Sequence, residues 1–369
     1  MEKRFYFDWA ASAYRNPSSQ HAEGKAAKDA LEQARNRCAN ILNVSPQTLY
    51  FTSGGTESNS IALFSNLMRP GNGRILSSLA EHASIREAME TLVKIGRSTG
   101  KINVDSAGRV TPHLLSKALS QYNDVRFVSI MSVNNETGAI TDISSLTDIL
   151  HNSTIGSAPV HFHCDLVQTA GKIPMDISAW DIDSASISAH KISGPRGIGL
   201  LYLKKPIEVF YSGGGQENGK RGGTENVEGA LALADCLEMY ADSKRVQENY
   251  AQAKSRWTKL LETLVSNKRC TIIPKERTAS DDTFSPYILQ AAFKDIPGEV
   301  MARALDDLGF AVSTGSACSS SSPERPVLAA MGVEESLRIE GIRISQGHST
   351  TDEDIELLLN AIDQVLKFL

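Results

Sequence analysis

From about residue 20 to about residue 235 the chain alternates helix-like stretches with short apolar runs, and this rhythm admits few folds. HAEGKAAKDALEQARNRCANIL (His21–Leu42) carries alanine and charge at helical spacing, and LYFTSGG after it reads as a short strand entering a glycine turn. Helical spacing returns in ESNSIALFSNLM, TPHLLSKALSQY and SSLTDILHN, and further short strands read from GRILSSL, VRFVSIM, VHFHCD and SASIS. Strands alternating with helices predict a mostly parallel sheet covered by helices on both faces. Over residues 224–267 the pattern predicts a long helix leaving that sheet and a second helix following it. The texture then changes to YILQAAF, EVMARALDDLGFAVST, GIRISQG and a final helix with Thr351 or Asp352 as its N-cap, an α+β module. The expected fold class is α/β: a three-layer large domain at 13–245 and a smaller α+β domain from 1–12 plus 246–369, divided near 240–265. A chain of 369 residues is too long for one ordinary core, which supports that division.

Composition removes several function classes. At 41% hydrophobic and 22% charged the chain reads as soluble and globular. A net charge of −5 gives no attraction for nucleic acid or an anionic membrane. No apolar run approaches the roughly 18–20 residues needed to span a bilayer. MEKRFYFDWAAS lacks the apolar centre of a signal peptide, so a cytoplasmic location is expected. The five cysteines are widely spaced without a CxxC, which points to neither a disulfide framework nor a zinc site. Four stand among apolar or helical neighbours, whereas Cys318 lies in the polar, small-residue run STGSACSSSSPERP.

Three stretches carry chemistry. In SASISAHKISGPRGIGLLYL, Lys191 sits between apolar, β-prone residues and a turn punctuated by glycines, and lysine is rarely buried without a reason. A desolvated lysine amine is a usable nucleophile toward carbonyl carbon. The glycines of that turn have the wrong spacing for a dinucleotide fingerprint, and a strand rather than a helix follows them. FTSGGTESNSIAL reads as a strand, a Gly-Gly turn and a helix opening with Thr56, Glu57 and Ser58, whose backbone N–H groups, with the threonine hydroxyl, make a phosphate cradle, although it is no P-loop. VHFHCDLVQTAGKIP ends an apolar strand at Asp165, where ligands gather in α/β sheets. His161, His163 and Asp165 share one strand face and Cys164 the other, so metal binding is not expected and an acid placed to pair with a protonated ring nitrogen is. A lysine, an acid and a phosphate cradle are the parts of a pyridoxal-phosphate site.

The chain resembles the cysteine desulfurases, pyridoxal-phosphate enzymes of fold type I in the class V aminotransferase family. The resemblance rests on YFDWAAS, FTSGGTESN, AEHASI, MSVNNETGAI, HCDLVQTAGKIP, SAHKISGPRGIGLLY, GGGQENGKRGGTENV, STGSACSS and GIRISQG in this order along nearly the whole chain. It implies Lys191 as the covalent anchor of pyridoxal phosphate, His82 as the residue that stacks on its ring and handles protons, and Asp165 as the partner of its pyridine nitrogen. Gln168 would bond the phenolic oxygen. Gly55, Thr56, Ser188 and His190 would hold the phosphate, joined by Thr224 from the second subunit of a homodimer. Asn135 lies at the cofactor and, with Arg343, would orient the substrate L-cysteine, and Cys318 would be the nucleophile. The implied reaction gives L-alanine and a persulfide on Cys318, with the sulfur passed to an acceptor protein in iron–sulfur cluster or tRNA thiolation pathways. The chain departs from the family pattern in a shorter connection between Ala13 and Asn16, and in Arg196 where lysine is usual. Alternatives are another class V enzyme, such as a selenocysteine lyase or small-amino-acid aminotransferase, or a low-turnover sulfur-relay protein.

Overall fold

The computed structural model describes residues 6–13, 15–153, 159–315 and 325–369. Its main sheet has seven strands: β1 (Leu49–Thr52), β2 (Arg74–Ser78), β3 (Thr99–Ile102), β4 (Val125–Met131), β5 (His161–Asp165), β6 (Ser184–Ser188) and β7 (Gly199–Leu203). Their order across the sheet is β1-β7-β6-β5-β4-β2-β3. Strands β2 to β6 run parallel, and β7 runs against both β6 and β1. Every residue of β5, β6 and β7 is buried, as expected for strands covered on both faces.

Neighbouring residues on a strand feed opposite layers, which is the two-residue period of the pleat. Leu76, Val128 and Leu200 belong to the core on the face that α1 (Ala22–Leu42) helps to cover, and Ile75, Phe127 and Leu201 to the core on the other face with α2 (Gly55–Phe64) and α3 (Ala83–Lys94). Helices α4 (Pro112–Ser120), α5 (Ile143–Asn152), α6 (Ile177–Trp180) and α7 (Val227–Tyr240) complete the first of these layers. Helix α1 shows why the sequence folds so. His21 caps its start by accepting from Gly24 N, Asn43 ends it in the left-handed region, and Ala27, Leu31, Ala34 and Cys38 form the buried stripe.

The 24-residue α8 (Ser243–Ser266) leads to a second, antiparallel sheet of β8 (Cys270–Ile273), β9 (Ile288–Phe293) and β10 (Gly341–Ser345), ordered β10-β9-β8. Helices α9 (Gly298–Asp307), α10 (Pro326–Ala330), α11 (Glu335–Glu340) and α12 (Asp352–Phe368) follow the chain around it. Trp257, Leu289, Phe293, Met301, Ile342 and Ile362 are among its separate core. Thr351 proves to be the N-cap of α12, closing a capping box with Asp354. The two strands that sequence patterning did not find, β3 and β8, are four residues long and the least buried of the strands described.

One buried ion pair fastens a glycine-rich loop to the main sheet. Glu217, held in the left-handed region at φ 47°, takes two hydrogen bonds of 2.8 Å from the Arg35 guanidinium and one of 2.7 Å from Phe51 N. Arg35 Nη1 also donates to Leu49 O at 2.8 Å. Removing one partner strands the other charge in the interior. Arg35→Met is therefore expected to cost about 3–5 kcal/mol of stability, read as a lower urea midpoint at fixed protein concentration. A midpoint within error of the parent would mean that the pair does not anchor this loop.

Candidate active site

The carboxyl ends of β4, β5 and β6 and of β1 all lie at one edge of the main sheet, and a cavity of about 340 Å³ opens there. Gly55, Thr56, His82, Asn135, Asp165, Gln168, Ser188, His190, Lys191 and Arg343 all line it. Ten residues scattered over most of the chain thus meet in one place, as the sequence resemblance implies. Thr224 sits on an exposed stretch and does not line the cavity of its own chain. Cys318 lies outside the described residues. Asn59, Ser84, Met131 and Val167 also line the cavity without having been singled out. Asn59 follows Thr56 by one helical turn in FTSGGTESN, so helical spacing was the available signal.

Local structure explains each placement. Helix α2 begins at Gly55 with no side-chain cap among the described residues, so its first-turn N–H groups face the cavity without intrahelical acceptors. A Cβ on Gly55 would meet Val167 Cγ2 at 2.6 Å, so only glycine lets the chain pass there. Ser188 ends β6, and its hydroxyl lies 2.8 Å from His190 Nδ1 in the single turn Ala189–Lys191. The GPRG segment then reverses the chain into β7, so Lys191 stands at the head of a hairpin.

Asp165, at 3% exposure, accepts from Asn59 Nδ2 at 2.8 Å and from Val167 N at 2.9 Å. Wholly buried Glu81 accepts from Met131 N at 2.7 Å, and burial, with Asp165 adding, pushes its pKa up to about 8. His82 caps α3 by accepting at Nδ1 from Ser84 N, 3.2 Å away. Burial holds its pKa below the usual histidine range; Lys191 and Arg86 act in the same direction and Asp165 against it. A neutral His82 therefore keeps its proton on Nε2. Lys172 donates to Gln168 Oε1 at 2.8 Å, which turns the amide nitrogen of Gln168 away as a donor. Burial, aided by Lys191 and Arg343, brings Lys172 down to about 7.

Arg343 reaches the cavity from β10 of the second sheet, donating from Nη1 to Asn135 O at 3.0 Å. Its backbone pairs with Ser313 on both sides, Ser313 N to Arg343 O at 3.2 Å and Arg343 N to Ser313 O at 2.5 Å. Asn135 Oδ1 is buried and has no hydrogen-bond partner among the described residues. An uncapped helix start, an acceptor-only carboxylate, an amide donor, a lysine and an unpaired amide oxygen suit pyridoxal phosphate with an amino acid beside it. No group of three metal-holding side chains occurs among the described residues.

The family model of the class-V aminotransferases matches residues 1–358. The chain is 33% identical over 390 positions to the cysteine desulfurase IscS of Dictyoglomus turgidum, covering 100% of this chain and 95% of that one. It is 34% identical to the cysteine desulfurase IscS of Methanosarcina thermophila, covering 95% and 85%. Among solved structures it superposes on a NifS-like protein with a TM-score of 0.86 at 33% identity, covering 98% of this chain and 94% of that one. With its sheet order, its strand-end cavity and these relatives, the chain belongs to the class-V aminotransferase family and, within it, to the pyridoxal-phosphate-dependent cysteine desulfurases.

Proposed function

We infer that the cavity takes sulfur from L-cysteine and leaves L-alanine, with the sulfur received by Cys318 as a persulfide. The observation that supports this most is the convergence of Lys191, Asp165 and Arg343 on one cavity from three separate elements. When bound, pyridoxal phosphate supplies an aldehyde carbon that joins to an amine and a ring that draws electrons from the adjacent carbon. Lys191 presents that amine. Asp165 accepts from a protonated ring nitrogen, and Gln168 donates to a ring oxygen. Gly55, Thr56, Ser188 and His190 hold the phosphate, and the neutral His82 ring offers a flat surface for stacking. Arg343 grips the α-carboxylate of cysteine in a two-pronged contact, with Asn135 beside it. The thiolate of Cys318 attacks the substrate sulfur, forming an S–S bond as the carbon–sulfur bond breaks, and the carbon keeps that bond's electron pair and takes up a proton to become the methyl group of L-alanine.

We further read the chain as two domains, 13–245 and 1–12 plus 246–369, a division supported by the two separate cores. The working form is a homodimer in which Thr224 completes the phosphate site of the second subunit. Phe210 and Tyr211, 62% and 77% exposed at the start of the loop that carries Thr224, support an interface there. The site of action is the cytoplasm, where reduced thiols such as Cys38, Cys164, Cys236 and Cys270 persist. No helix among the described residues is long and apolar enough to cross a membrane. The persulfide goes to an acceptor protein of iron–sulfur assembly or tRNA thiolation.

The purified protein should be yellow and should release equal amounts of alanine and sulfide from cysteine in the presence of a reductant. Cys318→Ala should stop sulfide release while leaving the colour, and full sulfide release by that variant would remove Cys318 from the reaction. Arg343→Ala should lower kcat/KM for cysteine by about 10- to 150-fold, the worth of a charge-assisted contact of roughly 1.5–3 kcal/mol. An unchanged value would place the carboxylate elsewhere. Sedimentation should give the mass of two chains, and Tyr211→Asp should shift it toward one; a monomeric parent with full activity would refute the dimer.

A further inference from the structure

The alternation His161-Phe162-His163-Cys164-Asp165 puts two histidines and a carboxylate on one face of β5, and neither histidine lines the active-site cavity. Both rings belong to a continuous run of hydrogen bonds. Arg69 Nη2 lies 3.1 Å from His161 Nδ1, and His161 Nε2 lies 2.7 Å from Ser184 Oγ. The same hydroxyl lies 2.8 Å from His163 Nδ1, and His163 Nε2 lies 2.9 Å from Asn59 Oδ1. Asn59 Nδ2 then donates to Asp165 Oδ2 at 2.8 Å.

The two ends fix the direction of every bond. A guanidinium can only donate, so His161 Nδ1 accepts and its proton sits on Nε2. That N–H donates to Ser184, leaving the single hydroxyl proton for His163 Nδ1. His163 therefore also carries its proton on Nε2 and donates to the Asn59 carbonyl. The Asn59 amide is left with two protons, one for Asp165 and one for Ser84 Oγ at 2.9 Å. All polar atoms in the run are used, and none is used twice in conflicting roles.

The surroundings keep it in this state. His163, Ser184 and Asn59 are at most 1% exposed, and Phe127 stacks on the His161 ring at 4.9 Å and 6°. Burial pushes His163 down to about 3 and His161 well below its usual range, the latter with help from Arg69 and His163. The charged groups that face the run are Arg69 at one end, with Asp183 near it, and Asp165 at the other. Arg69 and His161 line a second cavity of about 380 Å³ at the amino ends of the parallel strands, with Arg97, Arg126, Lys205 and Asp183.

We propose that Arg69, His161, Ser184, His163 and Asn59 form a one-directional hydrogen-bond relay along one face of the sheet that positions Asp165, fixing the rotation of its carboxylate toward the cavity. These are positioning residues, and the inference rests on reading Asp165 as the partner of the cofactor's ring nitrogen. Cutting the relay lets that carboxylate turn and leaves the bound ring less firmly protonated. His163→Gln preserves it, because a glutamine amide can accept from Ser184 and donate to Asn59 as the ring does.

Long-range ¹H–¹⁵N spectra of holoenzyme labelled in histidine test the relay directly. Both rings should be neutral with the proton on Nε2 from about pH 5.5 to about 8.5. A proton on Nδ1, or a charged ring, overturns the relay whatever reaction the protein performs. His163→Leu should shift the absorbance band of the bound cofactor and lower kcat by about ten- to a hundredfold with little change in KM, and His163→Gln should restore both. Ser184→Ala, which removes only the hydroxyl oxygen, should reproduce the shift. A folded His163→Leu or Ser184→Ala protein with the parent's band and kcat would refute the positioning role. Correct tautomers and band shifts without alanine formation from cysteine would instead refute the substrate reading and leave the relay standing.

Discussion

A carboxylate buried at the end of a central strand sets the terms for the structure around it. Removing a charge from water costs several kcal/mol unless hydrogen bonds replace the lost hydration. Asp165 is repaid by the amide of Asn59 and by Val167 N. The Asn59 donor requires α2 to pack over the ends of β5 and β6, and α2 can do so because Gly55 has no side chain to strike Val167. The same helix start then offers its free N–H groups to the cavity. Burial, with Asp165 adding, also pushes the neighbouring Glu81 up to about 8, which favours its neutral form.

The cavity is shared between two sheets built on different principles. The parallel sheet contributes groups from the ends of successive strands, all on one edge because the strands run the same way. The antiparallel sheet contributes Arg343 from within β10, where its direction is set by the pleat and by pairing with Gln290 on β9. The guanidinium crosses to Asn135 O, so its reach depends on the two cores keeping their distance.

Much of this was legible in the sequence. The helix–strand rhythm gave the parallel sheet, since continuous apolar strands and amphipathic helices each have a distinct period. Lys191, Asp165 and Thr56 were legible because their residue types are anomalous at a strand end or a helix start. Asn59 and Lys172 were not, for an asparagine in mid-helix and a lysine after a glycine look like ordinary solvated residues. Their roles come from what lies across space. Strands β3 and β8 escaped because Thr-Gly-Lys-Ile and Cys-Thr-Ile-Ile have neither length nor alternation to separate them from loop. His161 and His163 were legible as a pair on one face, but their partners Arg69 and Ser184 are distant in the chain, and only the fold joins them.

The backbone pairing of Arg343 with Ser313 has a mechanical meaning. Ser313 stands a few positions before Cys318 in the chain, and Arg343 holds the substrate's carboxylate in the proposed reaction. The side chain proposed to hold the substrate is thereby tied through one rung of backbone to the segment that leads toward Cys318. A substitution that breaks this rung therefore disturbs the position of the Arg343 guanidinium and of residues 313–315 together.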